Sequence, residues 1–111
     1  MNPVENIELV SFSKRRGFGV VKKGPLIDKV KYEAIANYIL TRLLERDGNQ
    51  ISLIELIDLS GQSLLECING NLWYLLQVKN DFEARYLVKI TVNYKYQQNV
   101  ILNKRRRPFY F

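Results

Sequence analysis

Between Leu72 and Arg85 the apolar residues Leu72, Leu75, Val78 and Phe82 recur at three- and four-residue spacing, with Lys79 on the same side, which predicts a helix with one packed face. The pattern then switches to alternation: Leu87, Ile90 and Val92 are apolar while Lys89, Thr91 and Asn93 are polar. Tyr96-Gln97-Gln98-Asn99 can turn the chain, and Val100-Ile101-Leu102 returns as a partner strand, giving a hairpin rich in β-branched and aromatic residues. Upstream, Val30, Ala34, Ile35, Tyr38, Ile39 and Leu43 trace a helical stripe from an Asp28 N-cap to about Arg46, with Arg42 at its edge. Asp47-Gly48-Asn49 stops that helix, because Gly and Asn tolerate the left-handed backbone that follows a helix end. Ile51 makes a very short strand.

Ser52-Leu53-Ile54-Glu55 reads as a capping box, with Ser52 accepting from a free N–H and Glu55 reaching back to the N–H of Ser52. The second helix so begun turns Leu53, Leu56, Ile57 and Leu64 inward, Gly61 is placed to end or bend it, and Asn69-Gly70-Asn71 is a turn. Ahead of the first helix, NIELVSF reads as a strand. SKRRGFGVVKKGP follows as a basic turn, a second short strand at Val20-Val21 and a break at Gly24-Pro25. The chain therefore divides into an N-terminal β extension (1–27), a core (28–103) and a basic, aromatic tail (104–111). The fold class expected is α+β. The order helix, short strand, helix, helix, hairpin is that of a winged helix-turn-helix, with three helices, a C-terminal β-hairpin wing and an N-terminal β extension.

A resemblance points the same way. Lys31-Tyr32-Glu33-Ala34, Gly70-Asn71-Leu72-Trp73-Tyr74 and Asp81-Phe82-Glu83-Ala84-Arg85 together resemble a family of small uncharacterised bacterial winged-helix proteins with a "KYE … GWY … K-x-DLEARGLI" pattern. It covers roughly residues 28 to 103 and implies the fold, with no established activity to carry across. Phe82 stands in the Leu position of that pattern, and Tyr86 stands where Gly is usual.

Composition narrows the chemistry. With 47% hydrophobic and 25% charged residues the chain is that of an ordinary folded domain. No apolar run approaches the ~20 residues of a membrane span. Glu5 and Glu8 stand where a signal peptide would be positive, so a cytoplasmic location is expected. Cys67 is the one cysteine, which excludes an internal disulfide, and its apolar neighbours predict packing. No histidine is present, which excludes Cys–His zinc sites and Cys–His or Ser–His–Asp catalysis. Gly17-Phe18-Gly19 lacks the remainder of a phosphate loop. The carboxylates Glu55, Asp58, Asp81 and Glu83 are scattered, so no catalytic residue, cofactor or metal is expected.

The net charge of +6, from 17 Lys and Arg against 11 Asp and Glu, favours an anionic partner. It gathers at Lys14-Arg15-Arg16, Lys22-Lys23 and Lys104-Arg105-Arg106-Arg107, toward the two ends of the chain. The third helix offers Trp73, Gln77, Asn80 and Ala84 opposite its packed face, with Tyr74 and Asp81 beside them. The carboxamides of Gln77 and Asn80 suit adenine, and equally suit water on any exposed helix. That helix has at most Lys79 for phosphate, while Asp81 and Glu83 would meet phosphate badly. Of Trp73 and Tyr74, one is expected to staple the helix start to the core. Phe109-Tyr110-Phe111 is expected to dock on the domain or on a second copy, holding Lys104 to Arg107 at the surface. Two functions remain. The first is a DNA-binding winged helix or transcriptional regulator, with backbone contacts from its basic termini. The second is a protein–protein or homodimerisation module using Trp73, Tyr74 and Phe109, Tyr110 and Phe111.

Overall fold

The computed structural model of the chain describes residues 5–12, 21–68 and 70–103. The basic residues 14–16 and 104–107, the aromatic residues 109–111 and the side chain of Cys67 lie outside the described part, as does the strand start expected at Val20.

The N-terminal segment is an antiparallel hairpin of β1 (Asn6–Phe12) and β2 (Val21–Asp28). Gly24-Pro25 does not break the second strand, as expected, but sits inside it. Glu8 pairs with Leu26 and Val10 with Lys23, so Gly24 and Pro25 together face Leu9 in a bulge. A proline is tolerated there because it owes the ladder no N–H. A Cβ on Gly24 would come within 3.1 Å of the Leu9 carbonyl oxygen, so any side chain there would have to shift the facing backbone by a few tenths of an ångström.

Helix α1 (Lys29–Glu45) starts where expected, with the Asp28 carboxylate accepting from Val30 N at 2.7 Å. Its buried stripe is Tyr32, Ile35, Ala36, Ile39, Leu40 and Leu43. The stripe is rotated from the expected one: Val30 is 70% exposed and Tyr32 takes the inward place. Gly48 (φ 72°) and Asn49 (φ 51°) end the helix in the left-handed region, and Asn49 Nδ2 donates to Leu43 O.

Strand β3 (Gln50–Ser52) leads into α2 (Leu53–Asp58). Ser52 Oγ accepts from Glu55 N at 3.1 Å, which is half of the expected box. The Glu55 carboxylate instead meets Arg46 at 2.8 Å. The helix stops at Asp58, ahead of Gly61, and Gly61 is the extended N-cap of a separate helix, α3 (Gln62–Cys67). Among the described residues there are thus four helices where three were expected. Ser60 Oγ, donating to Ile57 O at 2.6 Å, helps close the break.

Helix α4 (Trp73–Ala84) is followed by β4 (Val88–Val92) and β5 (Gln98–Leu102). The second sheet is antiparallel with order β3-β5-β4. Ile51, Val100 and Ile90 stand in one row across it and face the core, with Val88 and Leu102 in the next. Val92 departs from the expected alternation and is exposed. Leu87, expected to open the strand, is buried in the turn before it. The core is continuous, joining Leu9 and Ile27 of the first hairpin to α1, Leu56, Leu64, Ile68, the α4 face of Leu75, Val78 and Phe82, and the second sheet. The architecture is mixed α+β: four helices with two small antiparallel sheets.

Candidate nucleic-acid interface

The C-terminal half of α4 is committed to the interior. Asp81 is fully buried, although it was expected beside the exposed face. Its Oδ2 accepts from Tyr32 Oη and from Arg85 Nε, each at 2.9 Å, and its Oδ1 accepts from Val10 N at 2.9 Å. Arg85 Nη2 donates onward to Glu8 O at 3.1 Å. One carboxylate thereby ties β1, α1 and α4, and a buried charge is tolerable because every side of it is met. The Tyr32 and Asp81-to-Arg85 segments that carried the family resemblance are the two halves of this network. Ala84 is buried as well, so it does not belong to the exposed face where it was expected.

Lys79 is buried too, its Nζ donating to Gln98 Oε1 at 2.6 Å, and burial lowers its pKa against the opposing pull of Glu83. Burial pushes the Glu83 carboxyl up, with Lys79 opposing. Neither Lys79 nor Arg85 is therefore placed to take a phosphate. What remains outward on α4 is Gln77 and Asn80, both half-buried, and Trp73, 43% exposed. Tyr74 is the residue that staples the helix start to the core: it is half-buried against the hydrophobic cluster. Lys31 Nζ lies 5.5 Å from its ring centroid and Trp73 stands edge-on at 5.2 Å.

The positive side chains are elsewhere. Lys22 and Lys23 are exposed on β2, Lys23 lying 3.9 Å from Glu8. The first and last basic clusters lie outside the described residues, but their flanks do not. Phe12, just before residues 14–16, packs its ring against Tyr86 at 5.8 Å. Asn103, just before Lys104, donates from Nδ2 to Tyr86 O at 2.8 Å and from N to Leu87 O at 3.0 Å. Both flanks meet on the same residue at the end of α4. The seven basic residues of those two clusters exceed the whole excess of +6, so the remainder of the chain is close to neutral.

The hairpin tip was missed as a candidate. Its signal was in the sequence: after Glu83 no acidic residue follows, while Lys89 and Lys95 do. Both lysines are exposed. At the tip Tyr94 is 86% and Tyr96 89% exposed. A groove of about 590 Å³ opens beside it, lined by Ser52, Ile54, Thr91, Asn93, Gln97 and Asn99 among others. Glu55 also borders it, with its charge met by Arg46. Among the described residues no cluster of potential metal ligands occurs and no helix is long and apolar enough to cross a membrane.

Fold and surface together define a small α+β protein whose acid-free hairpin packs its strands on the core and leaves its tip exposed. The model of a family of unknown function, DUF6958, matches residues 19–98, more than half of the chain, and the chain belongs to that family. No curated protein and no solved structure was found to match it.

Proposed function

We propose that the chain is a winged-helix protein that binds double-stranded DNA without catalysing a reaction, its affinity led by phosphate contacts from the basic clusters. The order α1, β3, α2–α3, α4, β4, β5 with β5 paired between β3 and β4 supports the winged-helix reading, α4 taking the place of the recognition helix and β4–β5 that of the wing. One observation carries the functional reading: Phe12 and Asn103, the flanks of the two outer basic clusters, meet on Tyr86. Tyr86 thus touches the sequence neighbours of seven positive charges, and each phosphate that such charges neutralise releases counterions. On α4, Gln77 and Asn80 supply carboxamides for base edges, with sequence preference secondary to charge.

A gel shift on duplex DNA tests this. Binding is expected at about 50 mM salt and should fall steeply by about 200 mM. Replacing Arg105, Arg106 and Arg107 by Ala should weaken binding on every sequence and flatten the salt dependence by roughly one unit of slope for each phosphate no longer neutralised. No shift at the lower salt sinks the reading.

A second reading, a protein-contact or homodimer module, draws on the exposed Trp73 at the head of α4 and on Phe109 to Phe111. A concentration-dependent mass in light scattering that Trp73→Ala abolishes would favour it.

A further inference from the structure

The tip of the β4–β5 hairpin is closely hydrogen-bonded for an exposed turn. Asn93 Oδ1 accepts from Lys95 N at 2.8 Å and Gln97 N at 3.0 Å, and Asn93 Nδ2 donates to Gln97 Oε1 at 3.0 Å. Asn93 N donates to Gln97 O and Tyr96 N to Asn93 O. Tyr96 sits at φ 62°, a conformation that costs a side-chain-bearing residue about 1–2 kcal/mol. Such a turn would be served by glycine, yet it carries two tyrosines whose rings are almost wholly in water. Strain held at an exposed aromatic points outward, to something the ring contacts.

We propose that this tip binds unpaired nucleotides, with the rings of Tyr94 and Tyr96 stacking on bases, Lys95 and Lys89 meeting phosphates, and the carboxamides of the adjoining groove reading base edges. The proposal rests on the nucleic-acid reading above and specifies a second contact for it. Three features select this occupant. Charge is the first: Lys89 and Lys95 stand on a stretch free of acids, which suits a polyanion. The second is the pairing of an aromatic face with a cation, Lys95 Nζ lying 5.6 Å from the Tyr94 ring centroid. A base stacks on such a face whatever its identity, but only when unpaired, since bases within a duplex cover one another. The third is the groove. Ser52, Asn99 and Thr91 are register partners, so they stand in one row on the outer face of the sheet, and Asn93 and Gln97 continue it toward the tip. Asn93 is held by the turn and Asn99 Nδ2 by Gln50, which leaves Gln97 Nε2, Asn99 Oδ1 and the Thr91 hydroxyl as neutral groups of the kind that pair with base edges. A protein hot spot would place its aromatics in a desolvated centre, whereas here both rings stand in water with Lys95 beside them, and Ile54 and Val92 in the groove supply apolar contact for the flat face of a base.

Fluorescence anisotropy of the full chain tests the proposal with three labelled probes at about 50 mM salt: a short pyrimidine single strand, an abasic strand of the same length, and a duplex. The variant is Tyr94→Ser with Tyr96→Asn, because asparagine tolerates the left-handed backbone and both rings lie outside the core. The wild type should bind the normal strand more tightly than the abasic one. The variant should lose about tenfold on the normal strand, within the range expected of base–aromatic stacking, while holding the duplex as before and unfolding at no lower temperature. Equal binding of normal and abasic strands overturns the proposal, as does a variant that binds the normal strand like the wild type. Single-strand binding without duplex binding leaves this site standing and removes the duplex reading. Duplex binding with no response of the single strand to the variant does the reverse. Self-association that the variant abolishes, with no nucleotide bound, overturns it in favour of a protein contact.

Discussion

Two turns bracket β4, and each is closed by a tyrosine at φ 62°. At the first, Tyr86 N donates to Glu83 O and Leu87 N to Phe82 O, the paired bonds of a Schellman motif with Phe82 and Leu87 buried together. The Tyr86 ring leans on Phe12 and its carbonyl accepts from Asn103, so the strained residue joins α4, β1 and the end of β5. At the second, Tyr96 has the same backbone, but the hydrogen bonds of its turn close within residues 93–97 and its ring faces water. The strain at Tyr86 is offset by what the residue does for the fold. The strain at Tyr96 is met by the hydrogen bonds of the hairpin turn alone, its ring adding no packing to the core, which separates a turn tied into the fold from one that stands apart from it.

The largest effect should come from beneath the first turn. Asp81→Ala leaves the Tyr32 hydroxyl and the Val10 N–H without their common acceptor and removes one partner of the half-exposed Arg85 guanidinium, and each buried donor left unmet costs about 1–3 kcal/mol. The urea midpoint should fall accordingly. Asn93 is the matching acceptor of the second turn, taking two backbone N–H groups, but it is exposed and water can replace it. Asn93→Ala should cost about 1 kcal/mol at most. Equal losses for the two would erase the distinction between the turns.

How far the sequence anticipated this follows from what each signal measures. Asp28, Ser52 and Gly48-Asn49 were legible because caps and stops act through local backbone geometry. The α1 stripe was read in part, since Val30 and Tyr32 differ in hydrophobicity less than in position, and Tyr32 is held inward by its hydroxyl bond to Asp81 and its ring contact with Phe82, both distant in sequence. Gly24-Pro25 was misjudged because a bulge is a property of two strands, and the partner residue Leu9 lies outside any local window. Asp81 and Lys79 show the same limit for charge. A charged helix position reads as solvated unless its partners, here 49 and 71 residues away for Asp81, are already in place. The hairpin tip failed for a different reason: its signal was the absence of acids after Glu83, and clusters attract attention where an absence does not.

Glycine substitutions sharpen the comparison directly. Tyr96→Gly relieves the left-handed backbone and loses no packing, so it should stabilise by about 0.5–1 kcal/mol after the extra entropy of the unfolded chain. Tyr86→Gly gains the same relief but gives up the ring pair with Phe12, an interaction worth about 0.5–1.5 kcal/mol. Its net change should lie near zero or below. Thermal unfolding of the two variants side by side reads the difference. If Tyr86→Gly were the more stabilising, the ring would not be holding β1.

The smallest effect lies on α4 just ahead of the first turn, where burial shifts Lys79 and Glu83 in opposite senses. The raised Glu83 carboxyl keeps its proton, just above its ordinary value of 4.5, at a pH where the unfolded chain has released it. Folding then binds a proton, so stability falls as pH rises through that window and levels off once the native carboxyl has ionised. Glu83→Gln should flatten this acid limb and leave the neutral plateau no lower. On the alkaline side the lowered Lys79 gives a rise with pH toward 10.5, but Tyr38, raised by burial, titrates from 10.0 upward with the opposite sign. The two slopes oppose each other, so the acid limb is the arm to measure. Urea midpoints of the wild type and Glu83→Gln between about pH 4 and 7 decide it. Parallel curves for the two proteins would mean that the carboxyl is solvated in the folded state and that the end of α4 is looser than its hydrogen bonds describe.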